Sequence, residues 1–150
     1  VHLTMAYFAP GEDFVAALCD AARRGIAVEL VLPGRSDFAL VLHAGRAYYT
    51  QLLDAGVRIY EMEHALMHAK TAVIDGVFST VGSSNLDWRS IVDNHELNVI
   101  VLGDDHGRWP DVLDTSAPGA ECFKELDLGS GPVGVAAPLE DVRAFEIVCP

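Results

Sequence analysis

Positive charge is scarce in this 150-residue chain: ten Lys and Arg stand against 22 Asp and Glu, a formal net charge of −12. Such a balance argues against holding nucleic acid or anionic lipid through the bulk surface, and leaves room only for a local cationic site. The deficit is uneven, with seven basic and twelve acidic groups in residues 1–102 and three and ten in residues 103–150. Cysteine is equally thin. Cys19, Cys122 and Cys149 are odd in number and scattered, which excludes a disulfide framework or a thiolate metal cage and points to a reducing compartment. No apolar run approaches the roughly 18–20 residues needed to span a bilayer. The N-terminus lacks the basic stretch and apolar core of a secretory signal. Neither an internal repeat nor a low-complexity tract is visible. What remains is 51% hydrophobic and 21% charged, the composition of a soluble globular domain long enough to bury a real core.

The apolar pattern predicts an α/β fold. His2–Phe8 reads as a strand ending at Pro10-Gly11, and Phe14, Ala17, Leu18, Ala21 and Ala22 recur at helical spacing up to a stop at Gly25. Residues 26–32 are nearly continuously apolar, as expected of a strand covered on both faces. Ser36 or Asp37 can cap a helix reaching about Ala55, with Gly56 as its stop and a strand over Val57–Tyr60. This alternation implies parallel strands joined by helical crossovers. The rhythm then changes: Met67–Ile74 and Val77–Val81 flank Asp75-Gly76, a hairpin turn signal, and Leu97–Leu102 reads as another buried strand. A mixed sheet with helices on its faces follows. Residues 103–150 hold five of the seven prolines and six of the thirteen glycines, with only fragments of helical spacing (Val112, Leu113; Phe123, Leu126). An irregular, acidic tail is expected there.

Polar groups interrupt the apolar hairpin at fixed places: His68-Ala69-Lys70, Asp75, then Gly82-Ser83-Ser84-Asn85, and later Glu96. In a strand, side chains two apart share a face, so His68 and Lys70 are expected to project together. These groups are the parts needed to attack a phosphodiester. An imidazole can be the nucleophile, and an ammonium, a hydroxyl and an amide can hold phosphoryl oxygens. A carboxylate can orient the imidazole. Each residue alone has an ordinary explanation: a strand histidine is most often structural, Asp-Gly a turn, and Asn85 a helix cap. Their joint spacing carries the hypothesis. His64 and His68, four apart, could be a metal pair, but nothing nearby completes a site of three or four ligands. His95 is expected to be structural. Trp88 and Arg89 could line a substrate entrance, Arg89 being the stronger candidate because its fork suits a phosphate or carboxylate.

The pattern His68-x-Lys70-x4-Asp75-x6-Gly82-Ser83-x-Asn85 resembles the defining motif of the phospholipase D superfamily. The flanks Ala6-Tyr7-Phe8-Ala9-Pro10, Val31-Leu32-Pro33-Gly34-x-Ser36-Asp37, Leu86-Asp87-x-Arg89-Ser90 and Asn94-x-Glu96-x-Asn98 are similar to the C-terminal catalytic half of bacterial cardiolipin synthases, over about residues 2–102. The resemblance implies a phospholipase D-like α-β-α sandwich and a two-step transfer without metal or other cofactor. His68 would form a phosphohistidine, and Lys70, Asn85 and Ser83 would hold the phosphoryl oxygens. Glu96 would bond the far nitrogen of His68, with Asp75 a supporting group by the turn. The substrate would be a phosphatidylglycerol-like phospholipid at the cytoplasmic side of a bacterial membrane. The family needs a second motif copy, whose histidine protonates the leaving alcohol. This chain has only two lysines, Lys70 and Lys124, and so no second His-x-Lys.

A domain boundary is therefore expected near residue 102, with a catalytic half-domain over 1–102 and a divergent tail over 103–150. The strand-like start at Val1 and the loss of resemblance after Gly103 fit an excerpt, an alternative start, or a shifted reading frame. Three functional readings stay open: a phosphatidyltransferase half awaiting a second motif-bearing half, a homodimeric single-motif phosphodiesterase or nuclease, and an inactive remnant.

Overall fold

A computed structural model describes residues 1–63, 65–102, 123–126 and 133–134. Eight strands form one mixed sheet in the order β10-β9-β4-β3-β1-β5-β6-β8. Its centre is parallel: β1 (His2–Met5) pairs with β3 (Glu29–Pro33), and β3 with β4 (Arg58–Met62). Antiparallel strands continue it on one side through β5 (Lys70–Ile74), β6 (Phe78–Gly82) and β8 (Asn98–Leu102). The α/β class expected from the sequence is what the chain adopts.

The continuous apolar run in β3 has the expected cause. Leu30 and Leu32 face one core with Leu3, Met5, Val15 and Leu18, Cys19 of α1 (Glu12–Arg23), and Leu52 of α3 (Tyr49–Asp54). Val31 faces the other, with Tyr60, Met62, Ala65 and Met67. Gly25 and Gly56, predicted as helix stops, both carry positive φ (87° and 93°), the conformation that ends a helix at no steric cost. Asp75 (φ 54°) and Gly76 (φ 70°) make the hairpin turn, closed by Val77 N–H donating to Ile74 O at 3.2 Å.

Four expectations change. The first strand breaks after Met5, and Phe8–Ala9 leaves the main sheet as β2 to pair in parallel with β7 (Leu86–Asp87). The helix expected over residues 36–55 is two, α2 (Ala39–Arg46) and α3, turning at Ala47-Tyr48. Gly45 sits at that break because Phe8 O approaches where a Cβ would be. The strand over 97–102 is not buried: Val99, Ile100 and Leu102 are exposed, since β8 pairs with β6 alone among the described residues. In the expected irregular tail, Phe123–Leu126 forms β9, antiparallel to β4, and Val133–Gly134 forms β10 beside it. A four-residue strand pairs through its backbone, which the spacing of Phe123 and Leu126 did not reveal. The remainder of the tail, including Val112 and Leu113, lies outside the described residues.

The helix break has an electrostatic consequence. Glu61 on β4 is 4% exposed, and Arg46 grips it with two hydrogen bonds, Nε–Oε1 and Nη2–Oε2, each 2.8 Å. Tyr49 donates to the same carboxylate at 3.0 Å, and Arg46 Nη2 also reaches Gly34 O at 3.1 Å. Arg46 and Tyr49 thus tie both helices, and Arg46 the loop after β3, to the carboxyl end of β4. The variant Arg46→Met is expected to lose about 2–3 kcal/mol in urea unfolding, less than a fully buried pair would because water reaches part of the guanidinium. A loss below about 0.5 kcal/mol would show that the pair is no more than a surface contact.

Candidate functional site

The polar residues of the hairpin assemble beyond the carboxyl ends of β1, β3 and β4, where open α/β sheets bind ligands. Ala6 N–H donates to Ala69 O at 3.0 Å, extending the β1–β5 pairing up to the motif. Lys70 begins β5 and is 6% exposed, whereas His68 lies just before the strand and is exposed. The two still meet: Lys70 Nζ donates to His68 Nδ1 at 2.9 Å and to His68 O at 2.6 Å. An ammonium has donors only, so this contact makes Nδ1 the acceptor and places the proton of a neutral ring on Nε2. Burial pulls the pKa of Lys70 down, and the charges of Glu96 and Asp37 push it back up.

Asn85 arrives from the other side, and the β2–β7 pairing is the reason. That short ladder sets Tyr7 beside Asn85, whose Oδ1 accepts the Tyr7 N–H at 3.1 Å. With the carbonyl end of the amide committed to backbone, its NH2 end is the donor left for an anion. Ser90 fixes the same loop by accepting the Asn85 N–H at 3.2 Å, while Asp87 accepts the Ser90 N–H at 2.8 Å. Ser84 is clamped by Asn98, whose Oδ1 accepts the Ser84 N–H at 3.3 Å and whose Nδ2 donates to Ser84 Oγ at 2.5 Å. Gly82 is required at this crossing because a Cβ would collide with Asn98 Oδ1 and Leu97 O.

Ser83 and Glu96 are engaged with each other. Ser83 Oγ donates to Glu96 Oε2 and accepts Leu97 N–H at 3.0 Å, and Asn94 Nδ2 donates to Glu96 Oε1 at 3.1 Å. A serine has one hydroxyl proton, so in this arrangement Ser83 serves the carboxylate rather than an anion. Hydrogen bonds from Ser83, Ser90 and Asn94, with the charge of Lys70, hold Glu96 below the usual carboxylate range. Among the described residues Glu96 makes no hydrogen bond to His68. The expected orienting bond is replaced here by the Lys70 contact on Nδ1.

Asp75 is not brought to the cluster. It sits on the hairpin tip at the far end of β5 from Lys70, five residues away, or roughly 16 Å at strand rise. Its motif position coincides with a turn that needs positive φ, which Asp tolerates, as suits the supporting place by the turn expected of it rather than one among the reacting groups. Arg89 opens a π-helical turn (Arg89–Asp93) with an exposed side chain, and Trp88 is exposed beside it. His95, expected to be structural, is exposed. His64 lies outside the described residues, and among those described no three His, Cys, Asp or Glu groups gather as metal ligands.

Two neighbours of the site were not singled out by sequence. Tyr7 donates its hydroxyl to Asp37 Oδ1 at 2.7 Å, which raises the Tyr7 pKa and lowers that of Asp37. Asp37 is exposed, and the Ser36 hydroxyl also favours its ionised form. Asp37 had read as a helix cap, but the helix caps at Phe38, whose N–H goes to Ser36 Oγ at 3.1 Å. The only sequence signal for the pair was its place in the flanking segments.

Comparison with known proteins agrees with this architecture. The family model described as cardiolipin synthase, PLD-like domain, matches residues 1–108, and the chain belongs to that family. It is 44% identical over 110 residues to cardiolipin synthase A of Klebsiella pneumoniae, covering 73% of this chain and 22% of that protein. It is 42% identical over 105 residues to cardiolipin synthase A of Yersinia pseudotuberculosis, covering 70% and 22%. The chain thus spans about a fifth of the length of these curated relatives. The crystal structure of Nuc from Salmonella typhimurium, a phospholipase D family member, shares the fold at a TM-score of 0.56 and 24% identity, covering 67% of this chain and 63% of that one.

The opposed effects on Lys70 give a direct check. Removing the carboxylate in Glu96→Gln is expected to lower the Lys70 pKa further, because one of the charges stabilising its ammonium is gone. Titration of the Lys70 side chain by NMR reads this. An unchanged value would show that the two charges do not share a site.

Proposed function

We propose that this chain is one half of a phosphatidyltransferase of cardiolipin-synthase type, in which His68 takes a phosphatidyl group from a phosphatidylglycerol-like lipid. The catalytic half comprises residues 1–102, working at the cytoplasmic face of a bacterial membrane. The observations that support the reading are the contact of Lys70 with His68 and the shared cavity lined by Lys70 and Asn85, whose amide oxygen is held by the Tyr7 N–H.

In the resting arrangement Lys70 occupies Nδ1 of His68, and Glu96 rests on Ser83 and Asn94. An anionic phosphodiester competes for the ammonium. Once Lys70 turns to a phosphoryl oxygen, Nδ1 can take the ring proton and be held by Glu96, which leaves the Nε2 lone pair free to attack. The Nε2–P bond forms as the P–O bond to glycerol breaks, and the departing oxygen takes a proton from a second histidine. Lys70 and the Asn85 NH2 group stabilise the charge that builds on the non-bridging oxygens. In the return step that second histidine deprotonates an incoming lipid hydroxyl, which attacks phosphorus and expels His68.

The second histidine must come from another motif-bearing half or from a second copy of this chain, which offers one His-x-Lys. A phenolate leaving group needs little protonation, so the first step can be followed on a chromogenic phosphodiester. Turnover is expected to disappear in His68→Ala and to fall about 10²–10³-fold in Lys70→Met. With the chromogenic diester labelled on phosphorus, the wild-type chain is expected to retain acid-labile, base-stable label that His68→Ala lacks. Absence of label together with no turnover in any oligomeric fraction would support the inactive remnant. Faster cleavage of an oligonucleotide than of lipid would support the nuclease.

A further inference from the structure

Lys70 and Asn85 also stand at the head of a cavity of about 410 Å³ that the transfer chemistry does not use. Its floor is one face of the sheet. The pairings Leu3↔Ala72 and Met5↔Lys70 set these four side chains on the same side, because directly opposed residues on antiparallel strands project together. Ile74 continues that row, two residues beyond Ala72. Phe14 of α1 and Ile91 of the π-helical turn form walls. From Lys70 to Ile74 the floor runs roughly 13 Å at strand rise. Lys70 stands at one end of that floor and Ile74 at the other, with Leu3 and Thr80 on either side of Ala72 between them; Ser84 and Asn85 add polar lining. An apolar hollow of this size inside the range of ligand pockets gains nothing from water and suits a flexible hydrocarbon.

We propose that this cleft seats an acyl chain of the phospholipid whose phosphate is held by Lys70 and Asn85. The inference rests on the lipid-substrate reading and deepens it. Its occupant follows from the lining: a buried cation and a donor amide share one cleft with side chains of Leu, Met, Ala and Ile, with the Thr80 hydroxyl beside Ala72 partway along. A protein segment would have no need of an ammonium at the head of its groove, whereas a phosphodiester with a hydrocarbon chain meets both ends at once.

The test is calorimetric titration of the full chain with dihexanoyl-phosphatidylglycerol below its micelle concentration and with glycerophosphoglycerol, the same phosphodiester without acyl chains. Because each buried methylene is worth about fourfold in affinity, the lipid is expected to bind at least ~10-fold more tightly. Ala72→Phe, and separately Thr80→Leu on the adjoining strand, are expected to erase that advantage while keeping binding of the deacylated diester. Retained diester binding also shows that each variant folds. Equal binding of the two ligands by the wild-type chain would overturn the proposal, as would filled variants that still prefer the lipid. Sedimentation of each variant adds a further outcome: dimers that dissociate when the cleft is filled, with no lipid preference, would assign it to a second copy and overturn the proposal. Failure of both ligands to bind would instead remove the phosphate site itself, and the lipid reading with it.

Discussion

A buried lysine ammonium at the start of β5 is the constraint around which the rest of the site is arranged. Lys70 is 6% exposed, and such a charge is costly without compensation. Compensation comes from three directions: the ring and carbonyl of His68, the carboxylate of Glu96, and that of Asp37. These partners arrive on separate parts of the fold. The sheet delivers Lys70, the β6–β8 crossing delivers Glu96, and the loop after β3 delivers Asp37. The compensation is electrostatic and incomplete in hydrogen bonds, which is the condition under which an added phosphate can improve matters for the cation.

Backbone pairing converts distant sequence into that cluster. The departure of Phe8–Ala9 to pair with Leu86–Asp87 places Tyr7 where its N–H orients Asn85 and its hydroxyl reaches Asp37. Gly82 allows the chain to cross against Asn98, which in turn clamps Ser84. Farther out, Arg46 joins Glu61 to Gly34 and so steadies the loop that leads to Asp37. Stability and site geometry therefore share residues here, and a lesion at Arg46 acts on the second through the first.

Much of this was legible from the sequence because apolar periodicity and glycine punctuation are local signals. The buried run of β3, the stops at Gly25 and Gly56, and the Asp75-Gly76 turn each follow from residues within a few positions. The motif spacing put His68 and Lys70 side by side, and these two do meet. What it could not supply was the direction of individual hydrogen bonds. Whether Ser83 faces a substrate or Glu96, and whether Nδ1 of His68 meets a carboxylate or an ammonium, depends on side-chain partners 13 or more residues away or on a rotamer beside the strand. Asp75 is the mixed case, because a residue favoured for its backbone conformation looks, in a motif, like one kept for its charge. Exposure of β8 was missed because an apolar run states that a strand can be covered, not that something in the same chain covers it.

The meeting of imidazole, ammonium and amide around one anion is tested most directly by nitrogen NMR of the His68 ring with and without tungstate as a phosphate analogue, at a pH where the ring is neutral. The account predicts that without the anion the proton resides on Nε2 and Nδ1 accepts from Lys70. Saturating tungstate moves the proton to Nδ1, and Lys70→Met abolishes the response. Ring resonances that stay unchanged at saturating tungstate, or that respond equally without Lys70, would contradict it.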